Sequence, residues 1–190
     1  MRLILTAAAA SLAIVTTACQ KQADTNVDAT AVNDMVMNDM TMNGMAMAPM
    51  AANDFASTIA ASDMFEIASG KLAQRMATNE SYKKFGAMLV TDHTKSSAML
   101  KTAAAAASPV VTLPSTLPAE LQAKLDALKA TKGAAFDTLF LEQQKDGHRN
   151  ALDALKSYSS GGDVSSLKTF ATNATPVVQA HLDRLNSMKM

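Results

Sequence analysis

The sequence predicts an all-α protein: a bundle of four long helices, with an additional short helix in the connection between the second and third long helices. Alanine, a strong helix former, accounts for 37 of the 190 residues. From residue 54 onward, apolar residues recur every three or four positions, which is the period of an amphipathic helix. No alternating apolar run of strand length remains, so no sheet is predicted.

The first two long helices have recognisable ends. Asn53 or Asp54 can cap the first helix, which is predicted to end near residue 79. The second begins at residue 80 or 81 and ends at Ser108, because Pro109 disfavours a helical conformation in the residue before it. Their apolar stripes comprise Phe55, Ile59, Ile67, Leu72, Ala73, Phe85, Met88, Leu89, Met99, Leu100 and Ala103.

A short helix and the third long helix follow. Residues 108–117 contain two prolines and are predicted to form an extended connection. Pro118 suits the first turn of a short helix over residues 117–131. Gly133 marks a break before a long helix over residues 134–158.

The last long helix is predicted to begin at a capping residue, Asp163. Pro176 is expected to kink this helix without ending it, because the apolar period continues beyond the proline. The long connection after the second helix suggests a crossover of the kind found in ferritin-like four-helix bundles, while an up-down arrangement stays open.

The three histidines of the chain lie on the apolar stripes of three different long helices. His93, His148 and His181 are each four residues from an apolar position, and the remaining long helix offers Glu66 at equivalent spacing. At a rise of about 1.5 Å per residue, all four fall near the middle of their helices and can meet at one level. Three imidazoles and a carboxylate suit zinc, Cu(II) or Fe(II).

Two other interpretations of these four residues stay open. A buried His or Glu in a bundle is often a hydrogen-bonded core residue, and it can also act as an acid or base. The residues three positions before the histidines are Val90, Lys145 and Val178, so the Glu-x-x-His motif of di-iron bundles is absent. The neighbouring carboxylates that could accept hydrogen bonds from the imidazoles are Asp92, Asp146 and Asp183.

Residues 1–18 have the features of a secretory signal peptide: Arg2, an apolar run and small residues at the end. Cys19 follows at once, and this ending is similar to a bacterial lipobox, with Thr16 where an aliphatic residue is usual. We expect lipidation of Cys19 to anchor the protein to a membrane, with Gln20 favouring the outer membrane. Ordinary cleavage that leaves a soluble periplasmic protein is the alternative.

Residues 19–53 are predicted to form a flexible tether, because they show no apolar period and are rich in Asn, Asp, Thr, Ala and Met. Seven of the 14 methionines lie here, mostly as M-x-M pairs: Met35, Met37, Met40, Met42, Met45, Met47 and Met50. Thioethers are soft ligands that select Cu(I), and similar runs occur in periplasmic copper-handling proteins. Compositional drift and the scavenging of oxidants as sulfoxides are the alternatives.

Composition excludes several functions. Lys+Arg and Asp+Glu are 17 each, so the chain lacks the basic excess of a nucleic-acid-binding protein. Aromatic residues make up 4% and Trp is absent, which argues against a stacking surface for bases. The single Cys excludes an intrachain disulfide and, at the signal junction, a cysteine nucleophile.

Five stretches of the chain resemble the domain-of-unknown-function 4142 family: residues 65–73, 84–95, 135–137, 146–148 and 176–182. The resemblance covers about residues 54–188 and leaves the methionine-rich tether outside the family pattern. It implies a ferritin-like four-helix bundle in a bacterial envelope protein, with no established activity. It also implies that Glu66, His93, His148 and His181 occupy family motif positions.

The sequence therefore predicts a signal peptide (1–18), a lipidated or disordered methionine-rich tether (19–53) and a bundle domain (54–190). The leading hypothesis is binding rather than catalysis: a soft or borderline metal, with copper first and zinc or iron next. The alternatives are a structural envelope or stress-response module and a ferritin-like metalloenzyme. No oligomeric state is predicted.

Overall fold

The computed structural model describes residues 50–188, which contain five α-helices and no β-strand. The four long helices are α1 (Ala52–Met76), α2 (Glu80–Ala105), α4 (Ala134–Gly161) and α5 (Ser165–Ser187), and the short helix α3 (Ala119–Ala130) lies between α2 and α4. The predicted all-α bundle, with its short helix between the second and third long helices, is confirmed.

The helix ends lie within three residues of the predicted positions, but two caps differ. The prediction that Asn53 or Asp54 caps α1 is wrong, since both lie inside the helix and Ala51 holds the cap position. Asn79 caps α2, and its side chain accepts a hydrogen bond from the Ser81 backbone N–H at 2.8 Å. The prediction that Asp163 caps α5 is wrong, since Val164 holds the cap position. Asp163 instead accepts a 2.9 Å hydrogen bond from the hydroxyl of Tyr158, which satisfies a phenol in the core.

The predicted break at Gly133 and the predicted continuation of α5 through Pro176 are visible in the backbone. Gly133 precedes α4 with φ of 63°, a left-handed conformation that glycine adopts without steric cost. A Cβ at this position would meet nothing within 4 Å, so conformation rather than space requires the glycine. Helix α5 continues through Pro176.

Two hydrophobic clusters fill the bundle, and each long helix passes from one to the other. The first cluster includes Phe55, Leu100, Tyr158 and Phe170, and the second includes Phe85, Leu128, Phe136 and Phe140. Helices α1 and α5 run from the first cluster to the second, while α2 and α4 run the opposite way. Because α2 and α4 are parallel, the connection between them crosses the length of the bundle, which confirms the crossover and excludes the up-down arrangement.

The short helix α3 lies on this crossover and packs against α1 and α4. Its Leu125 and Leu128 are buried in the second cluster. The backbone carbonyl of Lys124 accepts a hydrogen bond from Nε2 of Gln143 on α4 at 3.2 Å. None of the five helices in residues 50–188 combines the length and hydropathy that a membrane span requires.

Two glycines, Gly70 on α1 and Gly86 on α2, let the backbones of these helices approach closely. These two helices pack most extensively on each other, as do α4 and α5, and narrower α1–α4 and α2–α5 contacts complete the ring. A Cβ built on Gly86 would lie 2.6 Å from the carbonyl oxygen of Gly70, and one on Gly70 would lie 2.7 Å from that of Gly86. Neither position can carry a side chain unless the two helices move apart.

Candidate metal centre

A layer of polar side chains lies between the two hydrophobic clusters. Every long helix contributes to it, so the layer sits where the helices cross from one cluster to the other. Its buried members are Asp63, Glu66 and Ser69 from α1, His93 from α2, Gln144 and His148 from α4, and His181 from α5. Burial of this many polar groups is costly unless each one is satisfied, which makes the layer the candidate functional site.

The three histidines meet in this layer. One potential ligand atom from each of His93, His148 and His181 lies within 4.8 Å of the others, and the ring centroids are 5.4 to 5.8 Å apart. All three side chains are buried, with exposed fractions of 6%, 1% and 3%. Three buried imidazoles from three helices are thus held close together.

His93 has one engaged and one free nitrogen. Its Nδ1 donates to Oδ1 of Asp63 at 2.7 Å, and Ser97 donates to the other oxygen of that carboxylate at 3.3 Å. Nε2 has no hydrogen-bond partner among the described residues. Burial lowers the pKa of His93, but the hydrogen bond to Asp63 and the nearby carboxylates, including Glu66, outweigh it and raise the pKa above its usual value.

The tautomer of His148 follows from its backbone contact. Nδ1 lies 2.8 Å from the carbonyl oxygen of Gln144, and a carbonyl only accepts, so the N–H is on Nδ1 and the lone pair is on Nε2. Burial, together with the neighbouring His93, lowers the pKa of His148 to about 3. The ring is therefore neutral at physiological pH.

In His181 the two ring nitrogens have the opposite roles to those in His148. Nε2 donates to Oδ2 of Asp92 at 2.9 Å, which leaves the lone pair on Nδ1 when the ring is neutral. Burial lowers the pKa of His181 below its usual value, so the neutral ring predominates at neutral pH. Its Nδ1 lies 3.3 Å from Nε2 of His148, so two lone pairs face each other. Such an arrangement favours a cation between the two nitrogens.

Glu66 lies beside the histidine cluster rather than within it. Its Oε1 is 3.8 Å from Nδ1 of His148, the nitrogen already bonded to the Gln144 carbonyl, and its Oε2 has no hydrogen-bond partner among the described residues. Complete burial raises the pKa of Glu66 to about 7. The structure thus brings three of the four predicted ligands into one group and leaves the carboxylate adjacent to it.

Of the carboxylates predicted to accept hydrogen bonds from the histidines, only Asp92 does so. Asp146 instead accepts from Arg149 and Asp183 from Gln179, both on the surface. Sequence reasoning missed Asp63, the partner of His93. Its position three residues before Glu66, on the same helical face, was the available signal.

Several predicted site residues lie outside the described part of the chain: Cys19, Met35, Met37, Met40, Met42, Met45 and Met47. Met50 is described and is 37% exposed.

Comparison with known proteins identifies the family of this chain. The family described as "Domain of unknown function (DUF4142)" matches residues 37–188. Neither the curated proteins nor the solved structures contain a match. The family match begins at residue 37 rather than near 54, so the expectation that the methionine-rich tether lies wholly outside the family pattern is wrong. Because the match spans well over half of the sequence, this chain belongs to the DUF4142 family.

Proposed function

We propose that this protein binds one borderline transition-metal ion through Nε2 of His93, Nε2 of His148 and Nδ1 of His181. The observation that supports this proposal is that each of these nitrogens lies opposite an N–H that donates to a fixed acceptor, so it bears the lone pair when its ring is neutral. The acceptors are Asp63, the Gln144 carbonyl and Asp92. Metal-binding histidines in proteins are usually oriented in this way, because the acceptor fixes the tautomer and increases the basicity of the ligand nitrogen.

The spacing of two of these nitrogens fits a metal ion. Ligand nitrogens at about 2.0 to 2.1 Å from a tetrahedral ion are separated by about 3.3 Å. The nitrogens of His148 and His181 are separated by 3.3 Å. If the imidazoles only packed against each other, these two lone pairs would face each other and Nε2 of His93 would have no partner. A purely structural role of the histidines is therefore disfavoured.

The ligand set favours copper or zinc. Imidazole nitrogens suit Cu(II), Zn²⁺ and Fe²⁺, and copper binds most tightly among the divalent ions of this series. The methionine array at residues 35–50 adds thioethers that select Cu(I), so we place copper first. A di-iron enzyme is disfavoured by the absence of Glu-x-x-His at all three histidines.

We further propose that the mature protein is a periplasmic lipoprotein anchored through Cys19, with the outer membrane as its destination. The apolar leader, the small residues before Cys19 and Gln20 after it support this location. Labelling with a radioactive fatty acid in the native host tests the anchor, and Cys19→Ala should abolish the label. A labelled Cys19→Ala protein, or an unlabelled wild-type protein, would contradict lipidation.

Titration calorimetry of the metal-free mature protein with Cu²⁺ and Zn²⁺ tests the metal centre. We expect one tight site that is lost in the double variant His148→Gln/His181→Gln. A variant with all seven tether methionines replaced by leucine serves as the matched control and should keep this site. Equal affinity in the wild-type protein and the histidine variant would overturn the proposal.

Cu(I) binding by the tether is tested separately under reducing conditions. The methionine-to-leucine variant should lose Cu(I) binding, whereas the histidine double variant should retain it. If a chain with the tether residues in scrambled order binds Cu(I) as tightly as the wild type, the pairing of the methionines has no role.

A further inference from the structure

A pocket of about 160 Å³ opens between α2 and α5 beside the histidine cluster. His93 and His181 line it, whereas His148 and Glu66 do not. The cluster therefore has a closed side within the bundle and an open side facing the pocket.

The walls of this pocket are mostly apolar. Phe170 belongs to the first hydrophobic cluster, while Met99 and Val177 are 38% and 45% exposed, an unusual exposure for large hydrophobic residues in this domain. Lys95, an exposed cation, also lines the pocket, and the Asp92 carboxylate on the same wall already accepts a hydrogen bond from Nε2 of His181. A ligand that fits these walls has a small apolar body and a negatively charged group.

The described residues do not complete a four-coordinate site. Three histidines form the group, and no carboxylate or thiolate among residues 50–188 joins them. Glu66 lies on the Nδ1 side of His148, away from the lone pair that would bind the ion. Closed structural sites take four protein ligands, whereas three protein ligands leave a position open.

We propose that this pocket binds a small monoanion whose donor atom occupies the open coordination position of the metal. This inference rests on the proposed metal centre. An open pocket of about 160 Å³ has room for a small anion such as azide or a short carboxylate. His93 lines the pocket, and its Nε2 is buried and has no hydrogen-bond partner among the described residues.

Azide titration of the Cu²⁺-loaded mature protein tests the proposal by absorption spectroscopy. We expect a saturable azide-to-copper charge-transfer band, displaced by propionate. If Cu²⁺ fails to bind, the proposed metal centre fails. If Cu²⁺ binds but azide produces no such band, the metal centre stands and the pocket proposal fails.

Substitutions in the pocket wall test whether the anion binds there. Ala174→Phe places a ring in the pocket and should weaken azide binding at least tenfold while Cu²⁺ still binds. Ser96→Leu, on the opposite wall, provides the same test from α2 if the first variant does not fold. Ala180→Phe, exposed on α5 outside the pocket, is the matched control and should bind azide as the wild type does. Unchanged azide affinity in a folded pocket variant would overturn the proposal.

Discussion

Nε2 of His148 lies 3.3 Å from Nδ1 of His181, although the opposite nitrogen of each ring already donates a hydrogen bond. Neutral imidazole carries one N–H, so neither facing nitrogen has a proton to share. The two rings come from α4 and α5, which pack closely along their lengths, so the apposition is held by the bundle rather than by local chain geometry.

Replacing Asp63 by Asn should weaken metal binding by about 10- to 100-fold, because the carboxylate that orients His93 and increases its basicity is lost. Titration calorimetry with Zn²⁺ measures the effect. Asp146→Asn is the control, since Asp146 bonds only to exposed Arg149 in the described residues. Equal losses in the two variants would remove any special role for Asp63.

Without metal, the Glu66→Gln variant should become more stable than the wild type, and this difference in the free energy of unfolding should grow as the pH rises. The pKa of Glu66 is about 7 in the folded state against 4.5 for the free side chain, so the folded protein keeps a proton that the unfolded chain releases. The wild type should therefore lose about 1.4 kcal/mol per pH unit relative to Glu66→Gln between pH 4.5 and about 7. Urea unfolding of both proteins with a chelator present measures this difference. A difference that does not change with pH would contradict the raised pKa.

Replacing Gly86 by Ala should destabilise the fold by about 2 kcal/mol. The added methyl group would lie 2.6 Å from the carbonyl oxygen of Gly70, and the cost of overpacking exceeds the higher helix propensity of alanine. At Gly147, by contrast, the nearest atom is a side-chain oxygen of Glu66 at 3.1 Å rather than backbone, so Gly147→Ala should cost less than Gly86→Ala. Thermal unfolding of both variants tests the contrast, and similar melting temperatures would contradict it.

Replacing Asp137 by Ala should cost about 2 kcal/mol, because this carboxylate on α4 holds the turn between α1 and α2. It accepts hydrogen bonds from the backbone N–H groups of Thr78 and Asn79, at 3.0 and 3.1 Å, and from the Thr78 hydroxyl. Chemical denaturation measures the loss. Asp153→Ala removes an exposed carboxylate from the same helix and should change stability by less than about 0.5 kcal/mol.

Helical periodicity was sufficient to predict the helices because each long helix buries one continuous face. It also identified the inward direction of Glu66, His93, His148 and His181, all of which are buried. Periodicity gives no lateral distance between helices, however, so it could not show that Glu66 lies beside the imidazoles while Asp63 contacts His93.

Capping preferences predicted helix ends less reliably where the side chain of the capping residue makes a tertiary hydrogen bond instead. Asp163 has good capping chemistry, yet its carboxylate accepts the hydroxyl hydrogen bond of Tyr158. Asp137 shows no capping signal in the sequence, yet it satisfies the α1–α2 turn across 59 positions of the chain. Such choices depend on which groups the fold brings within hydrogen-bond distance.

By itself, the sequence determined that the domain is an all-α bundle and which face of each helix is buried, because the apolar period of a helix is a local property. Only the tertiary structure decided the crossover, the pairing of each imidazole with its acceptor and the convergence of the three imidazoles. Those features join residues on different helices, and packing of the two hydrophobic clusters sets the direction and separation of those helices.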